Sequence, residues 1–425
     1  MDECDDSINQ TNKCGRRSTC WSLTVEPVLF LYMGAIMLST VVEDAFFVHK
    51  ACTVDVGLSA NICSHINAPE NEEYSKKVQI VVSNFHQYAN IAGNIVPMIL
   101  ALYLGVWSDQ KGRKLPLLLG LGGSLFYWLA LWVNALQGQW SVYMIIYTAT
   151  IPAALTGNSL AIFMATFSYV CDISTPEDRT VRVTMLEFAY LITIPTGVAL
   201  GSFLYTKVFD YSYAYMFCIT SVGLFMSIIY SWIALKWKTT RFLASSKSCG
   251  LKSTLLETLR VIKVPKQPFH SFYLLLAIFS LGVYTFQRDE KTMVYLYTQL
   301  KFHWDVGTYS KFRTLQSTFL MIGLLFGVPL LSRVLKLHDT IVIMIGALSH
   351  IVARMIYAIT DVPSVFFYGT IFGALGPIVA PVLRSMTSKL VPASHRGKAF
   401  ALLSVADTAV PIISGPIYTY VYNST

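Results

Sequence analysis

Glu187 and Arg384 each stand inside a long apolar stretch, where an ionised side chain is expensive. A charge near mid-bilayer costs about 2.5–3.5 kcal/mol on insertion scales, so each intramembrane charge is a candidate site. A carboxyl that leaves water holds its proton more tightly, because the anion loses its solvation. At position 187 this predicts a proton carrier working near ordinary extracellular pH. A guanidinium cannot discharge, and it grips a carboxylate or phosphate with paired hydrogen bonds, so Arg384 predicts an anion site. Structural readings stand beside both: Glu187 paired with Arg179 or Arg182, and Arg384 paired with Asp407. Other charges have two readings each: Glu43 and Asp44 as substrate contacts or a solvated helix end, Arg288 to Lys291 as an outer gate or, the favoured reading, a solvated end, and His350 with Arg354 as snorkelling or pairing groups rather than substrate contacts. Between Gly105 and Leu115 a short basic island carries Asp109, Gly112, Arg113 and Lys114. An arginine there can bridge to acids on neighbouring loops.

The elements that position these residues are membrane spans. The chain is 54% hydrophobic and only 13% charged, with mean hydropathy +0.53; soluble domains are about a quarter charged. Apolar windows of about 20 residues, enough to cross a roughly 30 Å hydrocarbon layer, recur along it. Eleven are read, at 27–49, 85–107, 115–136, 143–169, 183–205, 213–236, 269–287, 314–335, 340–360, 364–388 and 399–421. The fold class is therefore all-α and polytopic.

Basic residues orient the spans. Lys111, Arg113 and Lys114, Arg179 and Arg182, the run from Lys236 to Lys266, Arg333 and Lys336, and Lys389, Arg396 and Lys398 all fall on one side, which is cytosolic by the positive-inside rule. The net charge of +8 is thus a topology signal. No aromatic-interleaved basic patch accompanies it, so no nucleic-acid partner is expected. Residues 1–24 read as a cytosolic tail without a cleavable signal. Cys52 and Cys63 fall in the outward loop after the first span, where an oxidising exterior permits a disulfide; two unpaired thiols are the other reading. No cysteine spacing suggests a metal site, and no cofactor is expected.

The polar loop 237–268 divides the chain into a six-span bundle, 25–236, and a five-span bundle, 269–425. A weak repeat supports the division. Asp172, Arg179 and Glu187 at the start of the fifth span parallel Lys389, Arg396 and Ser404 at the start of the eleventh. Related six-helix halves are a common transporter plan, so a twelfth helix is expected to be missing.

These motifs carry a family resemblance. The loop Gly105-Val-Trp-Ser-Asp-Gln-Lys-Gly-Arg-Lys-Leu115 resembles the signature loop of major facilitator transporters. Val25-Glu26-Pro27, the run Asp172 to Glu187, and Pro381-Val-Leu-Arg384-Ser-Met-Thr-Ser-Lys389 together resemble the proton-coupled folate transporter, heme carrier and thymic stromal cotransporter family. The resemblance implies a two-bundle fold working by alternating access, with protons and a small organic anion as partners. It implies proton coupling at Glu187 and substrate binding at Arg384. It also implies a cytosolic gate latch at Asp109, Gly112, Arg113 and Lys114, with Asp172 and Arg179 beside it. The chain departs from the family at Asn158, where the folate transporter has an aspartate, and at Gln287, where it has a histidine. Both are retained as candidate substrate contacts. Gly197-x-x-x-Gly201 lacks the Gly-Pro extension typical of drug exporters, which favours import.

The leading expectation is a proton-coupled secondary importer in the plasma membrane, with the lysosomal membrane as the other location. A membrane receptor or scaffold that kept the fold is the alternative. The loops hold no His/Asp or Cys/His constellation for a membrane enzyme, and no phosphate-cradling Gly-x-x-x-x-Gly-Lys loop for an ATP-driven pump.

Overall fold

In lipid every backbone polar group must be bonded within the segment, so apolar runs of this length become helices. The computed structural model describes residues 24–173, 179–237, 268–288, 291–390 and 396–424, and no strand occurs among them. Each of the eleven expected spans is present: α1 (Glu26–Lys50), α2 (Glu72–Lys111), α3 (Lys114–Leu136), α4 (Asn158–Ile173, led by Ile146–Ala154), α5 (Arg179–Leu191 continued by Thr193–Phe203), α6 (Tyr213–Ala234), α7 (Pro268–Arg288), α8 (Val306–Ile322), α9 (Asp339–Ile359), α10 (Val379–Leu390, led by Pro363–Phe372) and α11 (Arg396–Ser424). Eight of the spanning segments meet both the length and the apolarity needed to cross a bilayer.

Two outer elements exceed the expectation. α2 begins at Glu72, 13 residues before the apolar window at 85, because its first turns carry the exposed pairs Lys76–Glu72 (2.9 Å) and Lys77–Glu73 (2.8 Å). Such pairs support an exposed helix while hiding it from a hydropathy scan. A further helix, Lys291–Phe302, lies between α7 and α8 on the outer side.

Helix ends are tied by lysines. The last carbonyls of a helix lack intrahelical donors and carry partial negative charge. Lys50 Nζ donates to the carbonyls of Asn134 (2.8 Å) and Gln137 (2.9 Å) at the end of α3. Lys301 Nζ donates to Thr360 O at the end of α9 (2.9 Å). Val25-Glu26-Pro27 works at the opposite kind of terminus: proline occupies the first turn of α1, and Glu26 accepts from the Thr24 amide (2.8 Å).

α1, α3, α5 and α6 pack together in the first bundle, and α7, α9, α10 and α11 in the second. α1 and α5 touch closely at the small-residue stripe: a Cβ on Gly201 would meet the Leu38 carbonyl oxygen at 1.8 Å, and one on Gly197 would meet Met37 Cβ at 2.6 Å. α2 against α11, and α5 against α8, join the halves.

The halves meet at their outer end. Asn67 Nδ2 donates to Trp304 O (3.1 Å), Thr419 Oγ1 to Ser83 O (3.3 Å) and Asn423 Nδ2 to Asn84 Oδ1 (3.0 Å), and the Tyr422 hydroxyl donates to Gln79. Phe46, Phe47 and Phe85 share one buried apolar cluster with Leu296, Trp304 and Phe312 from the other half. Above it the Cys52–Cys63 disulfide (S–S 1.94 Å) closes the first outer loop. Arg384, in the cytosolic half of α10, is exposed. The two bundles are thus joined at the end that carries the disulfide.

Candidate functional site

Glu187 lies two turns into α5, in the cytosolic half of the first bundle, and is partly buried. Its electrostatic partner is the Arg384 guanidinium of α10, from the second bundle. Residues 197 positions apart in sequence are thus brought within charge range at the cytosolic side of the interface. The charge of Arg384 acts on Glu187 across the interface. The side chains of Arg179 and Asp407 lie outside the described residues.

One turn beyond Glu187, Tyr190 meets Phe163 edge-on (centroids 5.6 Å), and Phe163 meets Tyr32 (6.5 Å). Behind Tyr32, Ser124 Oγ donates to Asn158 Oδ1 at 2.7 Å. This chain links α1, α3 and α4. Asn158 therefore stands as a packing junction: φ +40° at Asn158 and +83° at Gly157 interrupt the helix there. Gln287 is engaged too. With its amide oxygen turned toward α9, it accepts from Arg354 Nη2 (2.6 Å) and Nε (3.0 Å), while the guanidinium covers the Tyr357 ring at 5.6 Å. Arg354 is thus held by side chains of its own bundle.

The basic loop docks onto the first bundle. Arg113 Nε donates to Asp172 Oδ2 of α4 at 2.9 Å, with both side chains largely sheltered. Lys114 is 1% exposed; its Nζ donates to the carbonyls of Trp232 (2.6 Å) and Leu235 (2.7 Å) and lies 4.4 Å from the Trp237 ring centre. It caps α6 as Lys50 caps α3. Gly112 has φ +99°, and a Cβ there would sit 2.6 Å from the Trp237 carbonyl oxygen. Only glycine accepts that backbone beside that neighbour. The side chain of Asp109 lies outside the described residues, as do those of Arg288, Asp289, Glu290 and Lys291. Gly112→Ala should cut the folded, surface-delivered fraction at least as much as Arg113→Ala, measured by fluorescence-detected size exclusion. Lys114→Met leaves two buried carbonyls without their donor and should cost about 1–3 kcal/mol, seen as a lower unfolding temperature in detergent with uptake per folded molecule unchanged.

Glu43 and Asp44 are not a solvated helix end. α1 continues well beyond them to Lys50, and Glu43 Oε1 accepts from the Tyr127 hydroxyl of α3 at 2.5 Å. Asp44 faces the charge of Arg313 on α8. Arg313 lies one residue before the apolar window that begins at 314. No group of three or more His, Cys, Asp or Glu side chains suited to a metal occurs among the described residues.

Comparison with known proteins agrees with this architecture. The profile described as "Major Facilitator Superfamily" matches residues 87–353. The chain is 23% identical over 423 residues to the Drosophila melanogaster "Probable peptidoglycan muropeptide transporter SLC46", covering 94% of this chain and 80% of that one. It is 26% identical to the Rattus norvegicus "Lysosomal proton-coupled steroid conjugate and bile acid symporter SLC46A3" (94% and 88% covered). To the Bos taurus "Proton-coupled folate transporter" it is also 26% identical (94% and 86%). A crystal structure of the peptide transporter POT superposes with TM-score 0.65 at 13% identity, over 96% of this chain and 92% of that one. A profile match across more than half of the length, on eleven spans in two bundles, places the protein: the chain belongs to the Major Facilitator Superfamily and resembles its proton-coupled folate transporter branch.

Proposed function

We propose that this transporter imports a small organic anion together with a proton, using Glu187 as the proton carrier and Arg384 as the anion contact. The observation that carries this reading is the electrostatic pairing of those two residues across the bundle interface. Ionised Glu187 holds Arg384. A proton taken up by Glu187 removes that counter-charge and lets a carboxylate or phosphate of the solute compete better for the guanidinium. Once the solute leaves to the cytosol, Arg384 returns to Glu187 and the proton is released on the same side. Proton and anion therefore enter together, and an acidic exterior drives import.

The relatives' names suggest the anions to try: a folate, a conjugated bile acid and a muropeptide. The half-buried rings of Phe163 and Tyr190, the latter one turn from Glu187, are candidates to meet the apolar body of such a solute. The transporter is placed in the plasma membrane, with the lysosomal membrane as the second location; surface biotinylation separates the two. The functional test is uptake of that panel at pH 5.5 and 7.4 in cells expressing the chain. At least one anion should enter faster at pH 5.5. Equal uptake of every anion at both pH values, at matched surface expression, would remove the proton from the mechanism.

A further inference from the structure

We propose that Glu43 and Asp44 form a second proton site, placed at the outer gate, and that the outer gate closes with one of the two carboxyls protonated. Glu43 and Asp44 are neighbours on α1, each within range of the other's charge. Glu43 accepts from the Tyr127 hydroxyl of α3. Arg313 on α8 faces Asp44 from the other bundle, and among the described residues it forms no direct ion pair with either acid. Its Nη1 is bound to Gln316 of its own helix at 2.9 Å.

The remaining titratable groups around the pair supply no second positive charge. Tyr295, from the outer helix Lys291–Phe302, and Tyr309 of α8 lie within range of Asp44 and are neutral at physiological pH. Tyr213 of α6 and Tyr205 stack on one another nearby. His86 of α2 packs against Phe47 and Phe85. The facing segment of α5, Thr193–Phe203, contains no titratable residue. On α1 itself, His49 stacks on Tyr213, and Lys50 is committed to the carbonyls of Asn134 and Gln137.

Two carboxylates against one guanidinium leave one negative charge in a layer sealed by the aromatic cluster. Adjacent acids cannot both ionise cheaply in such a place, and one proton removes the excess. Opening moves α8 away from α1 and admits water, so the pair can then ionise. Shutting the gate again requires the proton. Acid outside therefore favours the closed gate, the step that follows loading in an importer. This depends only on alternating access and holds whether or not Glu187 carries the transported proton.

The test reads the gate without any solute. Ser83 of α2 is fully buried at the outer junction, where Thr419 of α11 donates to its carbonyl. In full-length protein in which Cys4, Cys14, Cys20, Cys171, Cys218 and Cys249 are replaced by alanine, Ser83→Cys is treated from outside with a membrane-impermeant maleimide across pH 5.5 to 8. Labelling, divided at each pH by that of the same protein unfolded in SDS so that ionisation of the thiol itself cancels, should rise with pH, by up to about tenfold per unit for a one-proton step. Glu43→Gln, and separately Asp44→Asn, should remove that rise and leave the site protected throughout. Tyr127→Phe should shift the rise without abolishing it. Glu187→Gln should leave the rise in place even if it destroys uptake. The proposal is overturned if labelling does not depend on pH, if both acid variants keep the parent profile, or if Glu187→Gln alone removes it.

Discussion

Arg384→Ala should lower uptake of the transported anion by about tenfold to a hundredfold, the equivalent of one charge-assisted contact of roughly 1.5–3 kcal/mol. The loss should appear mainly in KM, because the guanidinium binds the solute in the ground state. Arg384→Lys should recover only part of it. An ammonium keeps the charge but not the planar fork that matches a carboxylate or phosphate. Arg384 is exposed in the cytosolic half of α10, so truncation should leave surface expression near that of the parent. A variant with normal uptake would show that the solute is held elsewhere and that the arginine serves the interface.

Glu187→Gln should separate proton drive from anion recognition. The amide resembles the protonated carboxyl, so Glu187 no longer competes with the solute for Arg384 at any pH. KM at pH 7.4 should fall toward the value the parent shows at pH 5.5. Concentrative uptake should be lost, while exchange of internal for external anion persists without dependence on pH. Loss of exchange together with uptake would instead point to a structural carboxylate. The sign follows from the pairing: Arg384 favours ionised Glu187, and an incoming anion that captures Arg384 makes proton uptake by Glu187 easier.

The architecture was legible from composition alone, because the bilayer leaves few choices. Each of the eleven apolar windows became a helix. Elements outside the bilayer were less visible. The first turns of α2 are stabilised by Glu72, Glu73, Lys76 and Lys77, the residues that make a hydropathy scan stop. Individual charges were also legible, since Glu187 and Arg384 stand out in apolar surroundings. Their pairing was not, because a one-dimensional pattern does not say which faces of α5 and α10 meet.

The same limit explains the other differences. Asn158 and Gln287 were singled out by comparison with a family pattern, but three-dimensional packing gives them partners in Ser124 and Arg354. Lys114 looked like part of a charged loop; its ammonium is buried against the end of α6. Glu43 and Asp44 seemed to end a helix because the facing hydroxyl and guanidinium come from α3 and α8, some 84 and 269 positions away in the chain. Polar groups inside a membrane protein are read by their partners, and partners are a tertiary property.

The most direct test of coupled entry is proton movement driven by the anion itself. The purified full-length transporter is reconstituted in liposomes containing a pH-sensitive dye, with equal pH on both sides and the potential clamped. Adding the anion that performs best in uptake should acidify the lumen at a rate that saturates with anion concentration and disappears in Glu187→Gln. Anion accumulation with no change in lumenal pH, or acidification that survives Glu187→Gln unchanged, would contradict proton-coupled import through the Glu187–Arg384 pair.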